Sequence, residues 1–158
     1  MPEHGRFEIR RAAAADAAGI LDCLSAAFAP YRDSYTAPAY RDTVPNAESL
    51  ALRMRDMCLL VALTESGIAG TIGCQASGSE GHLRGMAVRP EWQGRGVAQA
   101  LLSAAEAELR ASGCRRVNLD TTGPLERAAR FYRKHGYAPS GRVADFFGMR
   151  LAEYAKTL

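Results

Sequence analysis

Several features that would place this chain in a specialised class are scarce or missing from its sequence. The 158 residues include four cysteines, one tryptophan and no run of about 18 apolar residues of the kind that crosses a membrane. The first residues, up to Arg6, carry no apolar segment behind their charges, so we expect no secretory signal, no membrane partner and a cytoplasmic location. With 47% hydrophobic and 23% charged residues, the composition is typical of one globular domain over residues 1–158 and excludes a collagen, a coiled coil or a disordered tail.

Metal-binding patterns are missing as well. The four cysteines are well separated in the sequence, with no C-x-x-C motif and no nearby histidine pair, which argues against a zinc site. Buried thiols of a reducing cytoplasm are the simpler interpretation. The cysteines are Cys23, Cys58, Cys74 and Cys114.

Positive charge is carried almost entirely by arginine, and the formal net charge is only +3. Arginine suits bidentate contacts with phosphate or carboxylate groups, although a general preference for arginine over lysine explains the composition as well. No basic run has aromatic residues between its charges, so we expect no nucleic-acid partner.

The spacing of apolar residues predicts a mixed α/β fold. The elements expected in chain order are a strand over 7–10, a helix over Ala17–Ala29 capped by Asp16, a helix capped by Asn46, a hairpin of strands 58–63 and 68–76, a strand over His82–Val88, a helix over Val97–Ala111, a strand over Val117–Asp120, a helix over Leu125–His135 and two final strands. The unit from His82 to Asp120 implies a right-handed parallel crossover inside a mixed sheet.

Two glycines stand between a predicted strand and the clearest predicted helix, in the segment Gln93-Gly94-Arg95-Gly96-Val97-Ala98. The first N–H groups of a helix lack partners within the helix, and the helix dipole makes that end partly positive. Glycine lets the backbone curve and approach a ligand closely. The segment therefore predicts an anion site suited to a pyrophosphate, with Arg95 either adding a charged contact or pointing into solvent.

Other interpretations compete for this loop. A Walker loop is excluded, because no lysine follows the glycines. A nicotinamide-dinucleotide site is closer, since Gly94, Gly96 and Ala100 are suitably spaced and Asp120 ends the next strand. Against it, five residues separate the strand from Gly94, and too little chain follows Asp120 for a second βαβ half. A plain turn without a ligand also stays open.

Two motifs resemble those of the GNAT-type N-acetyltransferases. The pattern [RQ]-x-x-G-x-[GA] is met by Gln93, Gly96 and Ala98, and the pattern A-x-x-[LF]-Y-x-x-x-G-[FY] by Ala128 through Tyr137. The resemblance implies a GNAT-like acyl-CoA N-acyltransferase fold, a mixed sheet of six to seven strands flanked by about four helices. It also implies an enzyme that moves the acetyl group of acetyl-CoA directly to a primary amine of a small molecule or peptide, without a metal.

The resemblance further implies where acetyl-CoA binds. The strand around Met86–Val88 is expected to separate from the strand at Val117–Asp120, with the pantetheine arm between them and the pyrophosphate on the glycine loop. Leu125 stands where the family often has an asparagine, so one cofactor contact is lost or replaced. The implied cofactor-binding residues are Met86, Ala87, Val88, Gln93, Gly94, Arg95, Gly96, Val97, Ala98, Gln99 and Leu125.

Catalytic roles follow from the same resemblance. Tyr132 matches the tyrosine that protonates the departing thiolate, and a phenol with a pKa near 10 is a plausible donor to a thiolate of pKa about 8–9. Where the family often has a glutamate base, this chain has His82 and Arg84. A neutral His82 could take the amine proton directly or through water, but a solvent-facing His82 with no role is an equally good interpretation. Other candidate bases are Asp120, Asp145 and Glu80.

The resemblance places the acceptor pocket between the region after the first helix and the last two strands. The predicted substrate-binding residues there are Tyr31, Tyr35, Asp145 and Phe147. Aromatic rings and carboxylates suit a cationic amine through ion pairing and cation–π contact, although ordinary packing accounts for such residues equally well. A non-catalytic acyl-CoA sensor or partner module is the alternative function. The sequence leaves the oligomeric state open, and a homodimer is one of the states it allows.

Overall fold

The computed structural model describes residues 5–158 and shows in that range one seven-stranded mixed sheet with five α-helices. The strands are β1 (Glu8–Arg11), β2 (Cys58–Thr64), β3 (Gly67–Ser77), β4 (Glu80–Val88), β5 (Arg116–Thr122), β6 (Ala138–Phe146) and β7 (Met149–Thr157). The helices are α1 (Ala17–Phe28), α2 (Ala37–Thr43), α3 (Ala47–Asp56), α4 (Val97–Ala111) and α5 (Glu126–Lys134). Across the sheet the strands lie in the order β1-β2-β3-β4-β5-β7-β6, which confirms the predicted mixed α/β fold.

The segment from Tyr31 to Tyr40, which shows no periodicity in the sequence, supplies one helix more than the four or so expected. Residues Ala29–Ser34 form a 3₁₀ turn, and α2 follows with its first turn capped by the Thr36 hydroxyl, which accepts from Ala39 N–H at 3.3 Å. A helix of seven residues is too short to display a repeating apolar face, so the sequence predicts a loop or a short helix here without deciding between them.

The two predicted helix caps have different outcomes. Asn46 caps α3 as predicted, since its Oδ1 accepts from Ser49 N–H at 2.8 Å. The prediction for Asp16 is wrong, because a 3₁₀ turn ends at this residue and gives it a helical backbone instead of the extended one that capping needs. Its carboxylate instead accepts from Ala13 N–H at 2.7 Å and pairs with Arg10 at 2.7 Å.

The central strands β4 and β5 run parallel, as predicted, and part after a short stretch of pairing. Within residues 5–158 their ladder has three pairs, the last of which joins His82 to Asn118. Beyond that pair β4 continues to Val88 and β5 to Thr122. We call this divergence the fork. Because the two strand edges are no longer paired beyond it, the sheet has a cleft built into its centre.

Helices cover both faces of the sheet. Alternate residues of β2 divide between the two sides, since Leu60 and Ala62 belong to the apolar core that includes α4, whereas Leu59 and Val61 belong to the core that includes α1. The cleft at the fork therefore lies between two packed layers, and its walls are held by both cores.

Helix α4 lies close to the sheet because glycines stand where it crosses. A Cβ on Gly70 would lie 2.8 Å from Val97 Cγ1 and 2.9 Å from Leu101 Cδ1. A Cβ on Gly81 would lie 2.7 Å from Leu109 Cδ1. Both distances are shorter than carbon atoms tolerate, so the two glycines permit this approach. It fixes the start of α4 just beyond the carboxyl end of β4.

All four cysteines are free thiols. Cys23, Cys74 and Cys114 are buried, and Cys58 is partly buried opposite Cys74 in the register of β2 and β3. Burial, together with the adjacent Cys58 thiol, raises the pKa of Cys74. Within residues 5–158 no group of three or more His, Cys, Asp or Glu side chains is placed to hold a metal ion, and no helix of that range is long and apolar enough to cross a membrane.

The close approach at Gly70 leads to a stability prediction. Replacing Gly70 with alanine forces Val97 and Leu101 away from β3, and overpacking of this kind lowers the free energy of unfolding by about 1–3 kcal/mol. Gly123→Ala is the matched control, since a Cβ at that position meets nothing within 4 Å. Urea unfolding measures both variants, and equal stability would show that α4 shifts on the sheet at no cost.

Candidate active site

A cavity of about 700 Å³ opens at the fork. The unpaired edges of β4 and β5 form two of its walls, and the start of α4, helix α5 and the segment after α1 form the others. His82 and Asp120 line it near the last β4–β5 pair, and Tyr132 lines it from α5. One continuous space therefore joins the glycine loop to the two predicted catalytic side chains.

The glycine loop has the backbone geometry of an anion site. Gly94 and Gly96 adopt φ of +78° and +86°, which only glycine takes without strain, and a Cβ at either position would meet nothing within 4 Å. The hydrogen bond from Ala100 N–H to Gly96 O, at 3.1 Å, begins the ladder of α4. The N–H groups of the three residues before Ala100 therefore have no partner within the helix and are available to a ligand in the cavity.

Gln93 ties this loop to its surroundings. Its Nε2 donates to Val88 O at 3.2 Å, and its Oε1 accepts from Arg127 at 2.7 Å. The first bond joins the loop to the end of β4 and the second joins it to α5. Although Gln93 lines the cavity, its amide is engaged within the protein, so its side chain shapes the loop.

The structure brings ten of the eleven predicted cofactor residues to the cavity wall, including Leu125. Arg95 is the exception, because its guanidinium lies over the Trp92 ring at 4.9 Å. The residues that line the cavity are Met86, Ala87, Val88, Gln93, Gly94, Gly96, Val97, Ala98, Gln99 and Leu125.

Tyr132 is buried on α5, with 6% of its surface exposed, and stacks edge-to-face with Tyr137 at 5.7 Å. Burial raises the pKa of its phenol, because the charged phenolate is poorly solvated there. The phenol therefore stays protonated throughout the physiological range. Proton donation to a thiolate is already uphill by the reference pKa values, about 10 for a phenol and about 8–9 for a thiol, and burial of the phenol makes it more so. The same desolvation also disfavours the thiolate.

His82 is held by a chain of side chains that crosses the base of the fork. Its Nδ1 lies 2.6 Å from Asn118 Oδ1, and Asn118 Nδ2 donates to Glu80 Oε2 at 2.5 Å. The same Glu80 oxygen accepts from Arg116. An amide oxygen only accepts, and the bond to Glu80 fixes the orientation of the amide, so His82 Nδ1 must carry the proton. In neutral His82 the lone pair is then on Nε2.

Asp120 follows Asn118 on the same face of β5 and lines the cavity beside His82. Burial raises the pKa of its carboxyl, and the proximity of His82 partly opposes that rise. Of the other candidate bases, Glu80 is engaged by Arg116 and Asn118. Asp145 lies outside the cavity lining, where it accepts from Gly148 N–H at 3.2 Å in the β6–β7 turn.

Two of the four predicted substrate-binding residues line the cavity on the side of the segment after α1, where the resemblance places the acceptor, and we call this side the acceptor end. These are Tyr31 and Tyr35, and the Tyr35 hydroxyl lies 2.7 Å from Thr122 Oγ1. Asp145 and Phe147 are not brought to the cavity. The turn gives Phe147 a positive φ of 51° and leaves 51% of it exposed, while its neighbour Phe146 lines the cavity instead.

Sequence reasoning missed three side chains at this site. Asn118 was detectable, since it pairs with His82 once the parallel crossover is assumed. Arg53 on α3 and Asp42 on α2 carry no motif, and only the packing of the helices brings them to the cavity. Arg84, considered only in place of a missing glutamate, lines it as well and pairs with Asp42 at 2.8 Å.

Two curated relatives are similar to the chain over part of their length. An acetyltransferase of Sodalis glossinidius (strain morsitans) is 34% identical over 94 residues, which are 60% of this chain and 66% of that protein. The aminoglycoside N(6')-acetyltransferase type 1 of Stenotrophomonas maltophilia is 39% identical over 66 residues, which are 42% of this chain and 43% of that protein. The chain therefore spans less than two thirds of the length of each relative.

Solved structures share the whole fold. The PaiA N-acetyltransferase of Thermoplasma acidophilum, in complex with coenzyme A, superposes with a TM-score of 0.80 over 97% of this chain and 99% of that chain, at 20% identity. At this identity the likeness shows the fold, the acyl-CoA N-acyltransferase fold implied by the two motifs.

The profile of the Acetyltransferase (GNAT) family matches residues 20–137, which is more than half of the chain. This match confirms the resemblance seen in the two motifs and leaves the nicotinamide-dinucleotide interpretation without support. The chain belongs to the Acetyltransferase (GNAT) family.

Proposed function

We propose that this chain, as a single domain, transfers the acetyl group of acetyl-CoA directly to a primary amine of a small molecule or peptide. The observation that carries the proposal is the continuous cavity that joins the glycine loop to His82 and Tyr132 across the fork. Direct transfer is supported because none of the cysteines, all of which lie in the described range, lines that cavity.

The cavity fits the implied co-substrate, which supplies an activated thioester. The N–H groups at the start of α4 would hold the diphosphate, because they lack intrahelical partners and lie at the positive end of the helix dipole. The edge of β4 at Met86–Val88, which is not paired with β5, offers backbone groups to an extended arm. A backbone N–H there would also stabilise negative charge that develops on the carbonyl oxygen.

We assign the proton acceptor of the reaction to His82 and the proton donor to Tyr132. His82 Nε2 accepts the proton that the ammonium must lose before its nitrogen can attack. Asn118 keeps Nε2 unprotonated, because it holds the imidazole proton on Nδ1. Tyr132 donates its phenolic proton to the sulfur as the carbon–sulfur bond breaks. The nitrogen loses its second proton as the amide forms, and that proton restores the Tyr132 phenol. Release of the His82 proton to solvent completes the cycle.

The first prediction concerns the glycine loop. Gly96→Glu puts a side chain and a negative charge where the diphosphate would lie, so we expect CoA affinity to fall at least about tenfold. Gly113→Glu is the matched control, because Gly113 also has a positive φ (88°) and open space but lies at the far end of α4. Calorimetric titration with CoA compares the two, and equal losses would mean that backbone strain is responsible.

The second prediction concerns the proton donor. Tyr132→Phe should lower turnover by about 10²–10⁴-fold and leave CoA affinity unchanged, because only the hydroxyl is lost. Tyr154→Phe, another buried tyrosine, lies outside the cavity lining and should keep turnover near that of the unaltered chain. Thiol release with a panel of amines measures both; CoA binding without turnover on any amine would favour a non-catalytic sensor instead.

The third prediction concerns the chain of side chains behind His82. Asn118→Asp keeps an acceptor oxygen on Nδ1 but adds a negative charge beside the imidazole, which favours its protonated form. A base must be neutral to act, so the acid limb of the pH–rate profile should move to higher pH. Asn46→Asp is the control, since aspartate caps a helix as well as asparagine. An acid limb that stays in place would remove His82 as the base.

A further inference from the structure

Two arginines stand at the acceptor end of the cavity without enough negative charge to balance them. Arg84 lies two residues after His82 on β4, so their side chains share one face of the strand. Arg53 reaches the same region from α3, and its Nη1 lies 3.4 Å from where a Cβ on Gly85 would be. Both guanidinium groups therefore lie beside the part of β4 that borders the fork.

Among residues 5–158, Asp42 is the one carboxylate that pairs with either arginine. Its Oδ2 accepts from Arg84 at 2.8 Å, whereas Arg53 reaches only its backbone carbonyl, at 3.2 Å. Within residues 5–158 Arg53 forms no ion pair with a carboxylate inside 4 Å. Two guanidinium groups thus share one carboxylate, and the cluster keeps a net positive charge.

Arg53 is less exposed to solvent than Arg84. It is partly buried, and its pKa is lowered first by that burial and then by the charge of Arg84, against the opposing effect of Asp42. A guanidinium remains charged in proteins, so its incomplete pairing costs stability that an incoming anion would recover. A planar carboxylate matches the geometry of such donors.

Close to these arginines the same cavity also offers groups that attract an ammonium. Asp120 and the Nε2 lone pair of His82 face the same cavity, where an ammonium group would lose its proton. Residues two apart on a strand are about 6.6 Å apart at their Cα atoms, and arginine adds its own reach. A ligand whose amine and carboxylate are a few bonds apart spans this separation.

We propose, on the basis of the acetyl-transfer function above, that Arg53 and Arg84 bind a carboxylate of the acceptor, so that the acceptors are amines carrying a nearby carboxylate, as free amino acids do. The rings of Tyr31, Tyr35 and Phe146 line the same end and would contact the remainder of the acceptor. Polycationic acceptors such as aminoglycosides or polyamines are disfavoured, because both guanidinium groups repel them.

The experiment compares matched acceptors. Thiol release is measured with acetyl-CoA and a panel of free amino acids, the amines that lack their carboxylate, the corresponding amino acid amides, and spermidine. We expect kcat/KM for the preferred amino acid to exceed that of its decarboxylated amine and of its amide by at least about tenfold, since the unpaired guanidinium groups penalise ligands without the anion. Faster turnover of the amines or of spermidine would overturn the inference.

Single substitutions test whether these two arginines cause the preference for a carboxylate. Arg53→Gln and Arg84→Gln should each reduce the preference for the carboxylate toward parity while calorimetric CoA affinity is unchanged. Arg55→Gln is the control, because it is exposed on the same helix and does not line the cavity. A preference that survives both substitutions would contradict the assignment. Loss of CoA affinity would instead place the phosphates of CoA at these arginines.

Different measurements test the acetyl-transfer function and the role of the two arginines. Turnover of any amine supports acetyl transfer, and only the ratio between matched acceptors tests the arginines. If no amine is turned over, calorimetry with the CoA-bound protein still compares an amino acid with its decarboxylated amine. Equal binding of the two, or binding of neither, would overturn the inference.

Discussion

The early divergence of β4 from β5 is the structural feature on which the rest of the site depends. Three residue pairs hold the two parallel strands together, and beyond His82 and Asn118 each strand continues alone. Unpaired backbone groups inside a protein are costly unless something else satisfies them, so a gap in the centre of a sheet indicates a place prepared for a ligand. An extended arm with amide groups meets that requirement, because it can pair with a strand edge as another strand would.

Packing of α4 converts this gap into a site with a defined polarity. The helix reaches the sheet closely only because Gly70 and Gly81 have no side chains. The positive end of its dipole therefore lies at one end of the cleft, where Gly94 and Gly96 turn the chain with left-handed backbone angles. At the other end, proton-accepting groups and guanidinium groups stand together near the base of the fork. In the proposed function, the anionic part of the co-substrate and the reacting groups therefore occupy separate regions of the cleft.

Predictions that rest on short-range patterns agree with the structure. The start and end of α4, the hairpin of β2 and β3, and the cavity position of Tyr132 all follow from residues close together in the sequence. Asp16 stands at the N-cap position of α1 but does not cap the helix, because the 3₁₀ turn before it, which periodicity does not reveal, gives it a helical backbone. Phe147 lies outside the cavity and Phe146 lines it, since a step of one residue in a strand or turn reverses the side on which a side chain lies. Arg53 could not be anticipated, since helix packing alone brings it to the cavity.

The account as a whole depends on backbone amides at the start of α4 holding a diphosphate. Amide ¹H–¹⁵N resonances recorded during titration with CoA test this most directly, with pantetheine as the matched ligand that lacks the diphosphate. We expect CoA to shift the amides of Gly94, Gly96, Val97 and Ala98 most strongly and pantetheine to leave them nearly unchanged. Saturation with CoA that leaves these four amides unshifted would contradict it.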